Sequence, residues 1–249
     1  MSFEFLTVER SGVADGAVPV ALSPFARLQE AAGGRLEVRD GWRTAASYGL
    51  LESELEACRS RVGIADRSSL GKLELQAPEA QLAEIAAEVS DGGELSGQRA
   101  TRAGGAWWCS PTPRRALVLT PPGEAAGMRD RLEAAAEGRF ASVVDLSAGL
   151  AALSVIGPSA RELLARVTAI DLRPTRMPEQ GFRPGSVGRV PAMLLRERGK
   201  RFLILFGSYH AHYMWTAITD AGVPFGASQV GADALEQLGA GERAAAEAG

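Results

Sequence analysis

The chain carries two histidines, His210 and His212. On a strand, side chains two apart share a face, and such a pair could offer two imidazole nitrogens to a metal. The surrounding run KRFLILFGSYHAHYMWTAI instead passes from a strand into a helix, with the histidines at the helix start, where positions two apart point in different directions. No cysteine or carboxylate cluster nearby completes a ligand set, so no metal site is assigned. Glu52, Glu54 and Glu56 suggest paired carboxylates for acid/base work, but on a helix they spread over a solvated surface. Trp107 and Trp108 could line a cleft and stack on a flat ligand. The alternative, one indole in the core and one at an interface, is favoured because no polar anchors accompany them. Arg196 and Arg198 flank a turn at Gly199 and could hold a carboxylate through charge-assisted hydrogen bonds, where hairpin arginines are ordinarily solvated. No phosphate loop, dinucleotide glycine motif, nucleophile elbow or zinc-helix signature occurs, and no catalytic residue is assigned.

The elements that position these residues show an internal repeat. SLGKLELQAPEAQLAEIAAEV (69–89) lies beside AGLAALSVIGPSARELLARV (148–167), setting Leu73 against Leu153, Leu75 against Val155 and Pro78 against Pro158. Alternating apolar residues specify a half-buried strand, and the proline then suits the first turn of a helix. In the second copy Ala160, Leu163, Leu164 and Val167 form one buried stripe. RRALVLTPPGEAAGMRDRLEAA (114–135) likewise matches KRFLILFGSYHAHYMWTAITDAG (200–222), pairing Val118 with Ile204, Met128 with Met214 and Leu132 with Ile218. The larger offset of the second match places an insertion in the Pro- and Gly-rich connection at 173–185. Each half reads strand, helix, loop, strand pair and helix. The expected fold is α+β, with two pseudo-twofold-related units, mainly antiparallel sheets and a ligand cleft between the halves. Residues 1–22 read as an N-terminal extension, 23–148 as the first half, 149–238 as the second half and 239–249 as a flexible, frayed tail.

A chain of 249 residues, 46% apolar and 23% charged, buries a sizeable core. Its net charge of -3 shows no basic stripe along the sequence, so nucleic acid is not an expected partner. Cys58 and Cys109 are too few for a disulfide framework. The opening MSFEFLTVERSG has neither a signal-peptide apolar stretch nor a membrane span, and the expected location is the cytoplasm.

From Ser23 the chain resembles the opening of the glycine-cleavage T-protein (aminomethyltransferase) family. The anchors are Ser23-Pro24, Gly41-Trp42, Ser47-Tyr48-Gly49, Glu52, Glu54, Ala57, Arg59, Gly63-Ile64, Asp66, Ser68 and Gly71-Lys72. Further on, Asp171-Leu172 and Pro184-Gly185 are similar in style to the gamma subunit of heterotetrameric sarcosine oxidase. The resemblance covers roughly residues 23–238. It implies a T-protein-like folate-binding fold and handling of one-carbon groups from glycine- or sarcosine-type amines on tetrahydrofolate.

Three positions depart from that chemistry. The family's reactive carboxylate follows a Gly-Gly pair, and the matching run Gly104-Gly105-Ala106-Trp107-Trp108-Cys109 puts Trp108 or Cys109 there. Leu203 stands where the family has a glutamate for the pterin donors, and Gly239 where an arginine is expected. No counterpart of the T-protein's C-terminal barrel is expected after Leu238. In the resemblance, Tyr48 lies in the family-like Ser47-Tyr48-Gly49 turn, so Tyr48, Trp107 and Arg196 are the candidates for lining a tetrahydrofolate cleft. The implied role is an accessory, non-catalytic subunit of an amine-oxidising or folate-dependent complex. Its partner would be a flavoprotein or another subunit of one-carbon metabolism, docked on exposed apolar anchors such as Trp107, Phe182 and Trp215. The alternatives are a divergent tetrahydrofolate-dependent aminomethyltransferase or demethylase, and a freestanding folate or small-amine binding protein.

Overall fold

The computed structural model describes residues 20–247. Most of the expected N-terminal extension, residues 1–19, and the final residues 248–249 lie outside the described residues. The described chain opens with a small module of β1 (Ala21–Leu22), α1 (Ala26–Ala31), β2 (Arg35–Arg39) and β3 (Trp42–Ser47), its strands ordered β1-β3-β2. Asp40 and Gly41 join β2 to β3 with φ of 50° and 76°. That is the two-residue hairpin turn for which an Asp-Gly pair is suited. Helix α2 (Leu51–Ser60) and strand β4 (Val62–Asp66) follow.

Two copies of one unit come next. The first is β5 (Gly71–Gln76), α3 (Glu79–Val89), β6 (Thr101–Ala103), β7 (Ala106–Thr112), β8 (Arg115–Thr120), α4 (Ala125–Ala136) and β9 (Ser142–Asp145). The second is β10 (Leu150–Ile156), α5 (Ala160–Ala165), β11 (Phe182–Val187), β12 (Val190–Arg196), β13 (Arg201–Gly207), α6 (Ala211–Gly222) and β14 (Ala227–Val230), closed by α7 (Ala232–Glu247). Helix α7 runs through residues 239–247, the stretch assigned above to a frayed tail.

Each unit holds three strands between its helices where the sequence suggested two. The missed strands are β6, only three residues long, and β11, whose Pro184 and Gly185 read as loop. Proline is tolerated at β11 because this is an edge strand, bonded to β12 alone within its sheet. The insertion accordingly sits at 166–181, and Phe182, Arg183, Pro184 and Gly185 belong to the strand.

The strands form a five-stranded sheet, β6-β7-β8-β5-β9, and a six-stranded sheet, β11-β12-β13-β10-β4-β14. The order shows a reciprocal exchange. Strand β4 precedes β5 in sequence but pairs with β10, while β9 precedes β10 but pairs with β5. Both crossings use one device. Asp66 Oδ1 accepts the Ser68 amide at 2.8 Å, and Ser68 Oγ accepts the Ala152 amide at 3.2 Å. In the other half Asp145 Oδ1 accepts the Ser147 amide at 2.8 Å, and Ser147 Oγ accepts the Lys72 amide at 3.0 Å. A short Asp-x-Ser turn thus ends each crossing strand and pins it to the opposite half.

Strand alternation then fixes four layers. Leu153, Val155, Ile204 and Phe206 pack outward on Leu163, Leu164, Met214 and Ile218 of α5 and α6. Leu73, Leu75, Trp108 and Val118 pack outward on Leu82, Ile85, Met128 and Leu132 of α3 and α4. The inner faces of the two sheets meet through Cys109, Leu117 and Leu119 on one side and Ala152, Leu195, Leu203 and Leu205 on the other. Phe182 and Trp215, expected as exposed anchors, are 0% and 7% accessible. Phe182 lies in the inter-sheet layer, and Trp215 packs against Phe25 with ring centroids 5.5 Å apart and the planes tilted by 38°.

Candidate functional site

The layer between the sheets is where a cleft between the halves would lie. Its centre is apolar. Of the two residues at the carboxylate position, Cys109 points inward, whereas Trp108 points to the helices and donates its indole N–H to the Ala103 carbonyl at 3.1 Å. Burial pushes the Cys109 thiol well above its ordinary range, and the nearby Glu197 carboxylate adds to the shift. Cys109 is therefore a protonated core thiol, a poor nucleophile and no acceptor for a cationic intermediate. Leu203, fully buried, belongs to the same cluster.

Polar groups bound this centre. Arg67, just past the first crossing, places Nη1 3.4 Å from Ser154 Oγ and 3.6 Å from Glu197 Oε2. Glu197 is 8% exposed, and its Oε2 accepts no hydrogen bond among the described residues. Lys72 projects from the inner side of β5 and is fully buried. Its Nζ donates to the carbonyls of Ser68 at 2.8 Å and Leu70 at 2.6 Å and lies 5.8 Å from the centroid of the Trp42 ring. Burial lowers its pKa to about 8, against the opposing pull of Asp66 and Asp145. Asp66 Oδ2 accepts from Ser23 Oγ at 2.5 Å, Gln29 Nε2 at 2.7 Å and Thr44 Oγ1 at 3.0 Å. One carboxylate thereby fastens the N-terminal module to the first crossing.

Tyr48, Trp107 and Arg196 are engaged with different partners. The Tyr48 ring packs beside the outer core of the six-stranded sheet, and burial pushes its phenol up. Trp107 lies half-buried at the inner layer with the Arg102 guanidinium 5.5 Å from its ring centroid. Arg196 donates to the carbonyls of Met177 at 2.8 Å and Gly199 at 3.2 Å, which ties the 166–181 connection to the β12–β13 hairpin. His210 stands at the N-cap position of α6 with no side-chain cap hydrogen bond, its ring tilted on that of Tyr209 with centroids 4.3 Å apart, and no metal-holding group occurs among the described residues.

Glu52 and Glu56 are exposed as expected, but Glu54 is not solvated. It is 5% exposed and accepts the Tyr48 amide at 2.6 Å and the Gly231 amide at 2.7 Å. Sequence reading also passed over Lys72, Glu197 and Arg67 as functional groups. The repeated Asp-x-Ser spacing at 66–68 and 145–147 was a usable signal for the crossings. Glu197, inside the charged hairpin RERGKR, offered none.

A pterin edge presents adjacent donors that call for an inward carboxylate. The inner layer offers Leu203 at that position and Cys109 at the reactive-carboxylate position, so neither family position supplies an acceptor, and the buried Glu197 faces Arg67 at 3.6 Å. Two hollows, of about 450 and 280 Å³, lie elsewhere. The larger is lined by α4 and the approach to β9, the smaller by the start of α3 and the β7–β8 hairpin.

The model of the GCVT N-terminal domain family matches residues 112–243. Among solved structures, the glycine cleavage system aminomethyltransferase T from Bartonella henselae superposes with a TM-score of 0.71 at 18% identity, covering 86% of this chain and 60% of that one. A chain of the heterotetrameric sarcosine oxidase from Corynebacterium sp. U-96 gives 0.61 at 21% identity, covering 84% of this chain and 97% of that one. Likeness at these identities establishes the fold. The chain spans 60% of the length of the aminomethyltransferase. No match is found among curated proteins.

Proposed function

The chain belongs to the GCVT N-terminal domain family, and from that premise we propose that it is a T-protein-like module kept as an accessory, non-catalytic subunit of an amine-oxidising complex. The observation that carries this reading is the closed inner layer. Cys109, Leu117 and Leu119 meet Leu195, Leu203 and Leu205 where a folate-using enzyme would need a polar, open cleft. A neutral thiol and a leucine supply neither a base nor a pterin acceptor. The sarcosine oxidase that shares the fold is heterotetrameric, which supports a role inside an assembly, with a flavoprotein as the proposed partner. The proposed compartment is the cytoplasm, and one-carbon amine metabolism the proposed setting.

The test is copurification of the tagged chain from its native host, with the flavin spectrum of the eluate recorded and aminomethyl transfer assayed on the chain alone. A stoichiometric flavoprotein and no transfer support the reading. Transfer by the isolated chain overturns it. A divergent tetrahydrofolate-dependent aminomethyltransferase or demethylase is the second reading, favoured by one observation: Glu197 Oε2 is a buried acceptor without a hydrogen bond. Glu197→Gln would abolish folate binding under that reading and leave an accessory subunit assembled.

A further inference from the structure

Charge is spread evenly along the sequence but not over the surface. Residues 98–102, 171–183 and 196–201 contain nine basic and three acidic side chains, an excess of six positive charges in a chain of net charge -3. The remainder therefore carries nine negative charges. Backbone bonds knit the three segments into one plate. Phe182 N donates to Gln98 O at 3.0 Å, Ala100 N to Gln180 O at 2.7 Å, Gln180 N to Arg196 O at 2.7 Å and Arg196 N to Gly181 O at 2.9 Å. Two arginines reinforce it from within: Arg183 donates to the carbonyls of Gln98 and Arg176, and Arg196 to that of Met177.

Arg99, Arg102, Arg173, Arg176, Arg198 and Lys200 are exposed on this plate. Among the described residues Arg173 pairs with Asp171, and no ion pair joins the other five exposed cations to a carboxylate. Glu179 spends one carboxylate oxygen on the Gly199 amide at 2.7 Å. Most of the excess comes from 196–201, with four basic residues and one acidic, and from 98–102, with two basic residues; the 166–181 connection, longer than its first-half counterpart at 90–100, adds the exposed Arg173 and Arg176 beside Asp171 and Glu179.

We infer that this plate is the docking face for an acidic surface of a partner protein. It rests on the accessory-subunit reading in naming a protein as the partner. Backbone hydrogen bonds between the three segments set the spacing of these cations, and the planar fork of arginine suits bidentate pairing with carboxylates. Complementary charge of this kind steers association and fixes orientation. A nucleic-acid partner fits less well, because the strongly negative remainder repels a long polyphosphate and the nearby Trp107 is half-buried beneath Arg102.

The experiment uses the full chain and two labelled probes, a decaglutamate peptide and an oligothymidylate, read by fluorescence anisotropy at about 50 and about 300 mM salt. The expected result is decaglutamate binding that weakens about 10-fold or more at the higher salt and by a similar factor in Arg173→Ser/Arg176→Ser/Arg198→Ser/Lys200→Ser, with Arg129→Ser/Arg161→Ser unchanged. Salt-independent binding, equal binding by the fourfold variant, or tighter binding of the oligothymidylate overturns the inference. The copurification separates the two levels. A flavoprotein retained by the fourfold variant leaves the subunit reading standing and removes the face. Plate-dependent decaglutamate binding with no copurifying subunit keeps the acidic-docking face and removes the subunit reading.

Discussion

Lys72 gives the sharpest handle on whether the inner layer is dry. Its ammonium is fully buried, with two carbonyls and an indole face as neighbours. Burial lowers its pKa from 10.5 to about 8, so the folded chain releases this proton before the unfolded chain does. Between those values the unfolded state binds more protons, and stability must rise with pH. Below pH 8 the full cost of the buried charge is present, about 3 kcal/mol for this shift. The gain is about 1.4 kcal/mol by pH 9 and about 2.5 kcal/mol by pH 10. Cys58 opposes it, because burial raises that thiol to about 11 and its contribution falls as pH climbs through the same region. The comparison must therefore be wild type against Lys72→Met, which retains the Cys58 slope and removes that of Lys72. Urea unfolding at several pH values from 7 to 10 should show wild type gaining on the variant by about 2.5 kcal/mol. A flat difference across that range would mean that water reaches Nζ and that the layer is open.

Other consequences concern the crossings and the packing. Asp66→Ala strands the donors of Ser23, Gln29, Thr44 and Ser68 and should cost roughly 3 kcal/mol or more, whereas Asp145→Ala at the exposed second crossing should cost about 1 kcal/mol; thermal melts of the pair check the asymmetry. Gly231→Ala would place a methyl 2.1 Å from the Ala46 carbonyl oxygen, so it should destabilise by about 3 kcal/mol or prevent folding, measured by soluble yield and melting. Cys58 and Cys109 are free, buried and raised in pKa; Ellman's reagent should find no reactive thiol in the native chain and two in urea.

Much of the fold was legible because it depends on periodicity. Leu73, Leu75, Leu153 and Val155 alternate on strands, and Met128, Leu132, Met214 and Ile218 sit at helical spacing, so the repeat identified the paired units and their buried faces. The reciprocal exchange of β4 and β9 was hidden, since periodicity shows which face of a strand is buried but not which sheet it joins. Strand β11 escaped because Pro184 and Gly185 are loop residues everywhere except at an edge. For the site, the replacement of the carboxylate by Trp108 or Cys109 and of the pterin glutamate by Leu203 was readable from the resemblance, and that Cys109 and Leu203 share one cluster needed the structure. Glu54 was misplaced because an acidic residue beside Glu52 and Glu56 looks solvated, and only the fold brings the Tyr48 and Gly231 amides to it. The basic plate was invisible for a related reason: its cations come from three segments far apart in sequence, which only the fold brings together.

The central claim, that the inner layer is closed to folate, is tested most directly by calorimetric titration of the purified chain with tetrahydrofolate. The account predicts no saturable heat at ligand concentrations up to the millimolar range. Binding at micromolar affinity, about -8 kcal/mol, that is lost in Glu197→Gln would contradict it and establish the layer as a working folate site.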